Sequence, residues 1–296
     1  MIRGIRREDW KPDHGRGGRT GGTVPERDMA AGRTAAGGAR ADLAPRRDGG
    51  FWTARTVAWY QQAVARSDYA VRVLGAIEPL LASAGSVLDV GAGCGALALP
   101  LAERIPCVTA LEPGRAMAAA LRGEAERRGL LGLTVIEAAW GEVTLPPHDL
   151  VLCAHVGELT RPGAPFLRGA ARWARRWVVI VRDRETESDK FFFRELYPTL
   201  LGRPYRGGSN YRDMLDDLAD LGIRPEAAPV DYRSDQPFAD LDEACDFYEI
   251  YLGVSGPKAR GLLRDFLAAR LAPEPPGWVA PYTKRAVVLW WPGVAP

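Results

Sequence analysis

The chain has 296 residues, 47% of them apolar, and a formal net charge of +2. That length holds one large domain or two small ones with a real core, and the near-neutral balance removes any global electrostatic case for nucleic acid. No apolar run approaches the ~20 residues of a membrane-spanning helix. The four cysteines, Cys94, Cys107, Cys153 and Cys245, show neither close pairing nor zinc spacing, so they read as free thiols of a reducing, cytoplasmic compartment, with no metal site.

Residues 1–50 hold ten Arg and one Lys against seven acids, a local charge of +4, together with eleven glycines. With almost no apolar period, this Arg/Gly-rich stretch is expected to be a disordered tail. It lacks a secretory apolar core, and its acids speak against a transit peptide. Met29 is an alternative start. RNA contact by the tail is the alternative to a solvated segment.

The folded part is expected to begin near Phe51. Trp52, Val57, Tyr60 and Val64, then Val71, Leu74, Ile77 and Leu81, recur at helical spacing. They predict two helices broken near Ser67-Asp68 and forming an N-terminal helical unit over 51–85.

Next comes Val87-Leu88-Asp89-Val90-Gly91-Ala92-Gly93-Cys94-Gly95-Ala96-Leu97-Ala98-Leu99. A short apolar run with one acid, three alternating glycines and an Ala/Leu-rich segment read as buried strand, tight turn and helix. Bare backbone at a helix N-terminus would favour a negatively charged ligand group. Glu112 closes the next apolar run 21 residues beyond Gly91, about the ~20-residue offset at which an acid meets ribose hydroxyls in nucleotide-binding α/β folds. Two cofactors fit. Gly91, Gly93 and Ala96 satisfy a dinucleotide fingerprint, which leaves an NAD-dependent oxidoreductase as one reading. Asp89, inside the strand, is poorly placed beside a pyrophosphate and suits a cationic ammonium and sulfonium, as in S-adenosyl-L-methionine.

Strands are expected near 86–90, 107–111, 133–137, 149–154 and 177–182, and helices near 95–104, 114–128 and 164–174. The alternation implies an α/β fold with a parallel sheet covered on both faces. Ligands of such sheets bind outside the carboxyl ends of the strands. Asp89, Glu112, Trp140, His155 and Asp183 all fall at those ends.

Leu88–Gly95, Ala110-Leu111-Glu112-Pro113 and Asp149–Val156 together resemble the class I S-adenosylmethionine-dependent methyltransferases over roughly residues 86–181. The resemblance implies a Rossmann-like, doubly wound, mostly parallel seven-stranded sheet. In it the last strand, near 284–291, runs antiparallel beside the sixth. It also implies cofactor roles. Asp89 and the loop Gly91, Ala92, Gly93 and Gly95 would hold the methionine end, and Glu112, followed by Pro113, the ribose hydroxyls. Glu137 to Trp140 would cover the adenine. Many members carry an acid at the position of Ala139, so the indole of Trp140 would serve there by stacking. Leading helices often lie over cofactor and substrate, which makes Trp52, Arg55 and Tyr60 candidate acceptor residues, with Asp183 a further one.

Beyond Val181 a helix is expected from Ser209 or Asn210 to Leu221, a strand near 226–233, and helices near 240–252 and 256–271. The methyltransferase domain would span 86–296, with substrate-side additions at about 184–208 and 235–282. Their aromatics, Phe191–Phe193, Tyr205, Tyr211, Tyr248 and Tyr251, would line an apolar acceptor pocket or pack as core. Methyl transfer needs in-line placement and a dry site more than acid–base chemistry. His155 is nevertheless the candidate base and also borders the cofactor, since its ordinary pKa suits proton transfer. His148 is expected to face solvent. A small or medium-sized acceptor is the leading reading. An RNA or protein acceptor is the alternative, through Arg172, Arg175 and Arg176 on one helix with Arg182 and Arg184 nearby. The acceptor atom and the oligomeric state are not written in the sequence.

Overall fold

The computed structural model describes residues 50–161, 163–185, 189–207 and 210–294. Residues 1–49 of the expected tail therefore lie outside the described residues, as does Ser209.

Helix α1 (Ala54–Ala65) opens with a capping box in which Thr53 and Thr56 exchange side-chain and backbone bonds. It breaks before α2 (Tyr69–Ala76), and the short α3 (Glu78–Leu81) follows. Five strands then alternate with helices: β1 (Ser86–Val90), α4 (Ala98–Ala102), β2 (Cys107–Leu111), α5 (Arg115–Arg128), β3 (Leu133–Ile136), β4 (His148–Ala154), α6 (Pro165–Gly169) and β5 (Ala174–Asp183). Helix α5 stops at Gly129, whose φ of 66° is left-handed. The second half carries α7 (Phe193–Leu196), α8 (Arg212–Asp220), β6 (Glu226–Arg233), β7 (Gln236–Phe238), α9 (Leu241–Leu252), α10 (Pro257–Arg270), β8 (Ala272–Glu274), β9 (Gly277–Ala280) and β10 (Thr283–Pro292).

Seven strands form one sheet in the order β3-β2-β1-β4-β5-β10-β6. The first five pair in parallel, and β10 lies antiparallel between β5 and β6. This is the expected Rossmann-like α/β sheet. Its order reverses at β1 and β4, where ligands of such folds bind. Strand alternation splits the core in two. Val87, Val108, Leu150, Leu152, Val179, Val181 and Val288 face α2–α5, while Leu88, Val90, Val151, Cys153, Val178, Ile180 and Leu289 face α6 and α8.

Three expectations change. The helix expected at 95–104 shrinks to Ala98–Ala102, because turns occupy the residues after Gly93. The helix expected at 164–174 ends at Gly169, and a 3-10 turn over Ala170–Trp173 leads into β5. The addition at 235–282 holds, besides its two helices, a small antiparallel sheet ordered β7-β9-β8. Its strands are only three or four residues long, too short for the period to register in sequence.

The aromatics of the additions pack as a third core. Phe191, Phe193, Tyr197, Phe238, Phe247, Tyr248 and Tyr251 are buried together with Trp59 from α1. For these residues the second of the two expected roles, core packing, is the one observed: Phe247 stacks on Tyr251 at 4.0 Å, and Phe191 stands edge-on to both. Trp59 also donates from Nε1 to Glu243 Oε1 at 2.9 Å, tying α1 to α9. Trp59→Ala should therefore destabilise the fold by about 3–5 kcal/mol in urea unfolding, the scale of deleting a large buried aromatic.

Candidate functional site

The loop after β1 carries the first part of the site. Gly91, Gly93 and Gly95 all have positive φ, at 75°, 59° and 92°, which side-chain-bearing residues adopt only with strain. A Cβ on Gly91 would stand 2.4 Å from Val156 Cγ2, and one on Gly95 2.4 Å from Leu121 Cδ1. Gly93 has open space beside it.

The loop amides are spent within the protein. Gly91 and Ala92 donate to Leu111 O at 2.7 and 3.2 Å, and Gly95 donates to Ala92 O at 3.0 Å. Gly93 donates to Glu112 Oε2 at 2.8 Å, and Gly114 to Glu112 Oε1 at 2.7 Å. The expected anion site is thereby corrected: these amides are taken, and α4 has five residues and begins only at Ala98.

What the loop gathers instead is negative charge. Asp89, 2% exposed, points to the α2 side of the sheet. No donor among the described residues reaches its carboxylate. Burial, and then the charge of Glu112, push its pKa up to about 7. Burial raises Glu112 as well, against the pull of its two backbone bonds. A carboxylate offers about four lone-pair sites; Glu112 uses two on amides, which leaves about two open. A cationic ligand bearing a diol satisfies both acids.

His155 lies just past β4 with a left-handed φ of 57°, and its N–H donates to Val181 O at 2.9 Å. Strained backbone at a non-glycine residue concentrates at functional sites. Its Nδ1 is 3.0 Å from Asp183 Oδ1, and its Nε2 is 2.9 Å from the Tyr232 hydroxyl. Lys284 Nζ is also 3.0 Å from Asp183 Oδ1. Burial, then the Lys284 charge, lower the His155 pKa, so the ring is neutral at pH 7. Burial opposes ionisation of Asp183, yet Lys284 and His155 hold its carboxyl well below the usual range. Tyr232, Tyr69 and Lys284 were not anticipated. Asp183, Tyr232 and Lys284 meet because β5, β10 and β6 are neighbours with Asp183↔Ala286 and Lys284↔Tyr232 in register. Only an alternation count through the correct register could have found them.

Residues 87–176 match the family described as Methyltransferase domain. Over those residues the chain carries a methyltransferase domain. Its methyl donor is S-adenosyl-L-methionine, a ligand with a sulfonium, an ammonium and a ribose diol, groups that suit buried acids. No curated protein matches the chain. Among solved structures it is similar to a putative methyltransferase from Bacillus halodurans C-125, at 16% identity, covering 74% of this chain and 97% of that one with a TM-score of 0.47. It is also similar to the magnesium protoporphyrin IX methyltransferase of Synechocystis PCC 6803, at 18% identity over 79% of this chain and 83% of that one, TM-score 0.45. A third is the precorrin-6y C5,15-methyltransferase of Geobacter metallireducens GS-15, at 14% identity, 70% and 78% coverage and a TM-score of 0.39.

Within this methyltransferase the remaining candidates divide. Trp52 and Tyr60 pack with Val57 against Cys94 of the glycine loop and Met117 of α5, so α1 lies over the loop. Arg55 turns the other way: it pairs with Asp246 on α9 and lies 4.8 Å from the Trp59 ring. Pro113 leads from Glu112 into Gly114, the N-cap of α5. The Ala139 amide donates to Glu142 Oε2 at 2.7 Å. Trp140 packs its ring 4.8 Å from Phe166 and 4.7 Å from Trp173, contacts that give it a share of the core beside any adenine. His148, expected in solvent, is buried at the amino end of β4 with Nε2 2.9 Å from Thr109 Oγ1.

Glu112→Ala should weaken S-adenosylmethionine binding by about 1–3 kcal/mol, the scale of lost charge-assisted hydrogen bonds; calorimetry measures it. Because the cation needs ionised Asp89, wild-type affinity should fall as pH drops below about 7. A flat affinity between pH 8 and 5.5 would remove Asp89 from the binding step.

Proposed function

We propose that the protein transfers a methyl group to a small or medium-sized acceptor whose nucleophilic atom carries a proton, with Asp89, the Gly91–Gly95 loop and Glu112 holding the donor and His155 as base. The observation that carries this reading is the position of His155 at the sheet's switch point, with Asp183 Oδ1 3.0 Å from its Nδ1 and the Tyr232 hydroxyl 2.9 Å from its Nε2. A carboxylate on Nδ1 fixes the tautomer and stabilises the imidazolium that forms when the ring takes a proton. Trp52 and Tyr60 close the site over the loop, which strengthens its electrostatics by excluding water.

The macromolecular reading loses its support from the arginines. Arg175 and Arg176 lie at the amino end of β5, the edge away from His155, and Arg176 reaches the Ser83 carbonyl. Arg182 is buried against Thr160, and Arg184 pairs with Asp231 at 3.2 Å. They form no basic strip into the cleft. The proposed compartment is the cytoplasm, which suits four cysteines that are all unpaired.

Purified protein with methyl-tritiated S-adenosylmethionine and a fractionated cell extract tests the reading. Label is expected in the small-molecule fraction; label confined to RNA or protein would overturn the acceptor class. His155→Gln should cut transfer about 10²–10⁴-fold. With donor saturating, wild-type turnover should hold at neutral pH and fall only in acid, because the His155 pKa lies below its ordinary value.

A further inference from the structure

Each ring nitrogen of His155 has a protein oxygen within 3.0 Å. Asp183 stands on Nδ1 at 3.0 Å and the Tyr232 hydroxyl on Nε2 at 2.9 Å. An ionised carboxylate only accepts, so Nδ1 carries the proton and Nε2 offers a lone pair to which the Tyr232 O–H donates. A proton leaving an acceptor can reach this ring only through a group already on it. Asp183 is a poor entry, since it is held as a carboxylate with Lys284 3.0 Å away. Tyr232 remains.

We propose that Tyr232 is the acceptor-facing member of a two-proton relay: the acceptor gives its proton to the Tyr232 oxygen while the Tyr232 hydroxyl gives its own to His155 Nε2. The inference rests on the reading of His155 as base. The step balances. The acceptor atom bonds to the methyl carbon, and the carbon–sulfur pair departs with the sulfur. Tyr232 ends as a neutral phenol and His155 as an imidazolium beside Asp183, which later releases its proton to solvent.

The surroundings fit this task. Tyr232 lies near the carboxyl end of β6, on the sheet face that α2 covers. The half-buried Tyr69 of α2 sets its ring 4.7 Å from Tyr232 and 5.7 Å from His155. The groups facing His155 are Asp183 from β5, Lys284 from β10, Tyr232 from β6 and Tyr69 from α2, and the charge of Arg182, bonded to Thr160, also acts on it. Burial pushes both phenols well above their ordinary pKa, so Tyr232 passes a proton on and does not rest as a phenolate.

Ring-¹⁵N histidine NMR on the purified full chain at pH 8 tests the hydrogen bond without any acceptor. The expected result is a neutral Nδ1–H tautomer whose Nε2 resonance moves downfield in Tyr232→Phe, as the nitrogen loses its donor. A protonated Nε2, or a resonance unmoved by the substitution, overturns the relay. The second arm uses methyl-tritiated S-adenosylmethionine and a small-molecule cell extract as acceptor pool. Tyr232→Phe should reduce transfer about 100-fold or more, with donor affinity and melting temperature near wild type. Tyr232→Phe/His155→Gln should be no worse than His155→Gln alone, as for residues acting as a unit. Transfer within about threefold of wild type, or additive losses, overturns the relay and leaves the methyltransferase reading standing. If Tyr232→Phe does not fold, a proton inventory on wild type decides: two protons in flight bend the plot of rate against deuterium fraction, and a straight line overturns the proposal. No transfer by wild type at all would instead sink the reading on which the relay rests.

Discussion

Two buried carboxylates set the terms for the whole site. Asp89 sits inside the central strand and Glu112 at the end of its neighbour; burial opposes ionisation of both, and the charge of Glu112 opposes that of Asp89 further. Glu112 is partly compensated by the amides of Gly93 and Gly114; no donor among the described residues answers Asp89. The glycine loop that in other α/β folds cradles an anion here spends its amides on Leu111 and Glu112. The same strand–turn–helix sequence thus gathers negative charge, because one acid stands two residues before the first glycine. On the proposed reading, a positively charged donor relieves the repulsion that the fold itself leaves in place.

The inserted antiparallel strand does the second piece of work. By lying between β5 and β6, β10 carries Lys284 to Asp183 and holds β6 where Tyr232 reaches His155. Lys284 and Asp183, about 100 positions apart in the chain, thereby meet on one face of one sheet. Helix α1 bridges the two halves, with Val57 and Tyr60 on the glycine loop and Trp59 in the aromatic core of the additions. The donor side and the candidate acceptor side are therefore mechanically one unit.

Much of this could be read from the residues because it is local. Apolar runs of five, glycines at fixed offsets and an acid closing the next strand specify β1, β2 and the loop within about 25 residues, and the strand alternation follows from period alone. What escaped reading depends on long-range register. Tyr232 and Lys284 look like ordinary strand residues until β10 is placed between its neighbours. The same holds for His148, whose partner Thr109 lies two strands away in the sheet. The aromatics of the additions were ambiguous for a related reason: a pocket lining and a core have the same composition, and only packing separates them. The short α4 follows from a loop that needs several residues to bring Gly95 back toward Leu121 before a helix can begin.

Asp89→Asn measures the central constraint most directly. A folded-state pKa near 7 against an ordinary 3.8 means the native state binds a proton that the unfolded chain has released, so stability falls as pH rises from about 4 to 7 and the penalty is complete above that. Thermal unfolding of the donor-free protein at pH 8 should then show Asp89→Asn melting above wild type, with the difference closing toward pH 4, while S-adenosylmethionine affinity drops. A variant that melts below wild type at pH 8, or that binds the donor as tightly, would contradict the account.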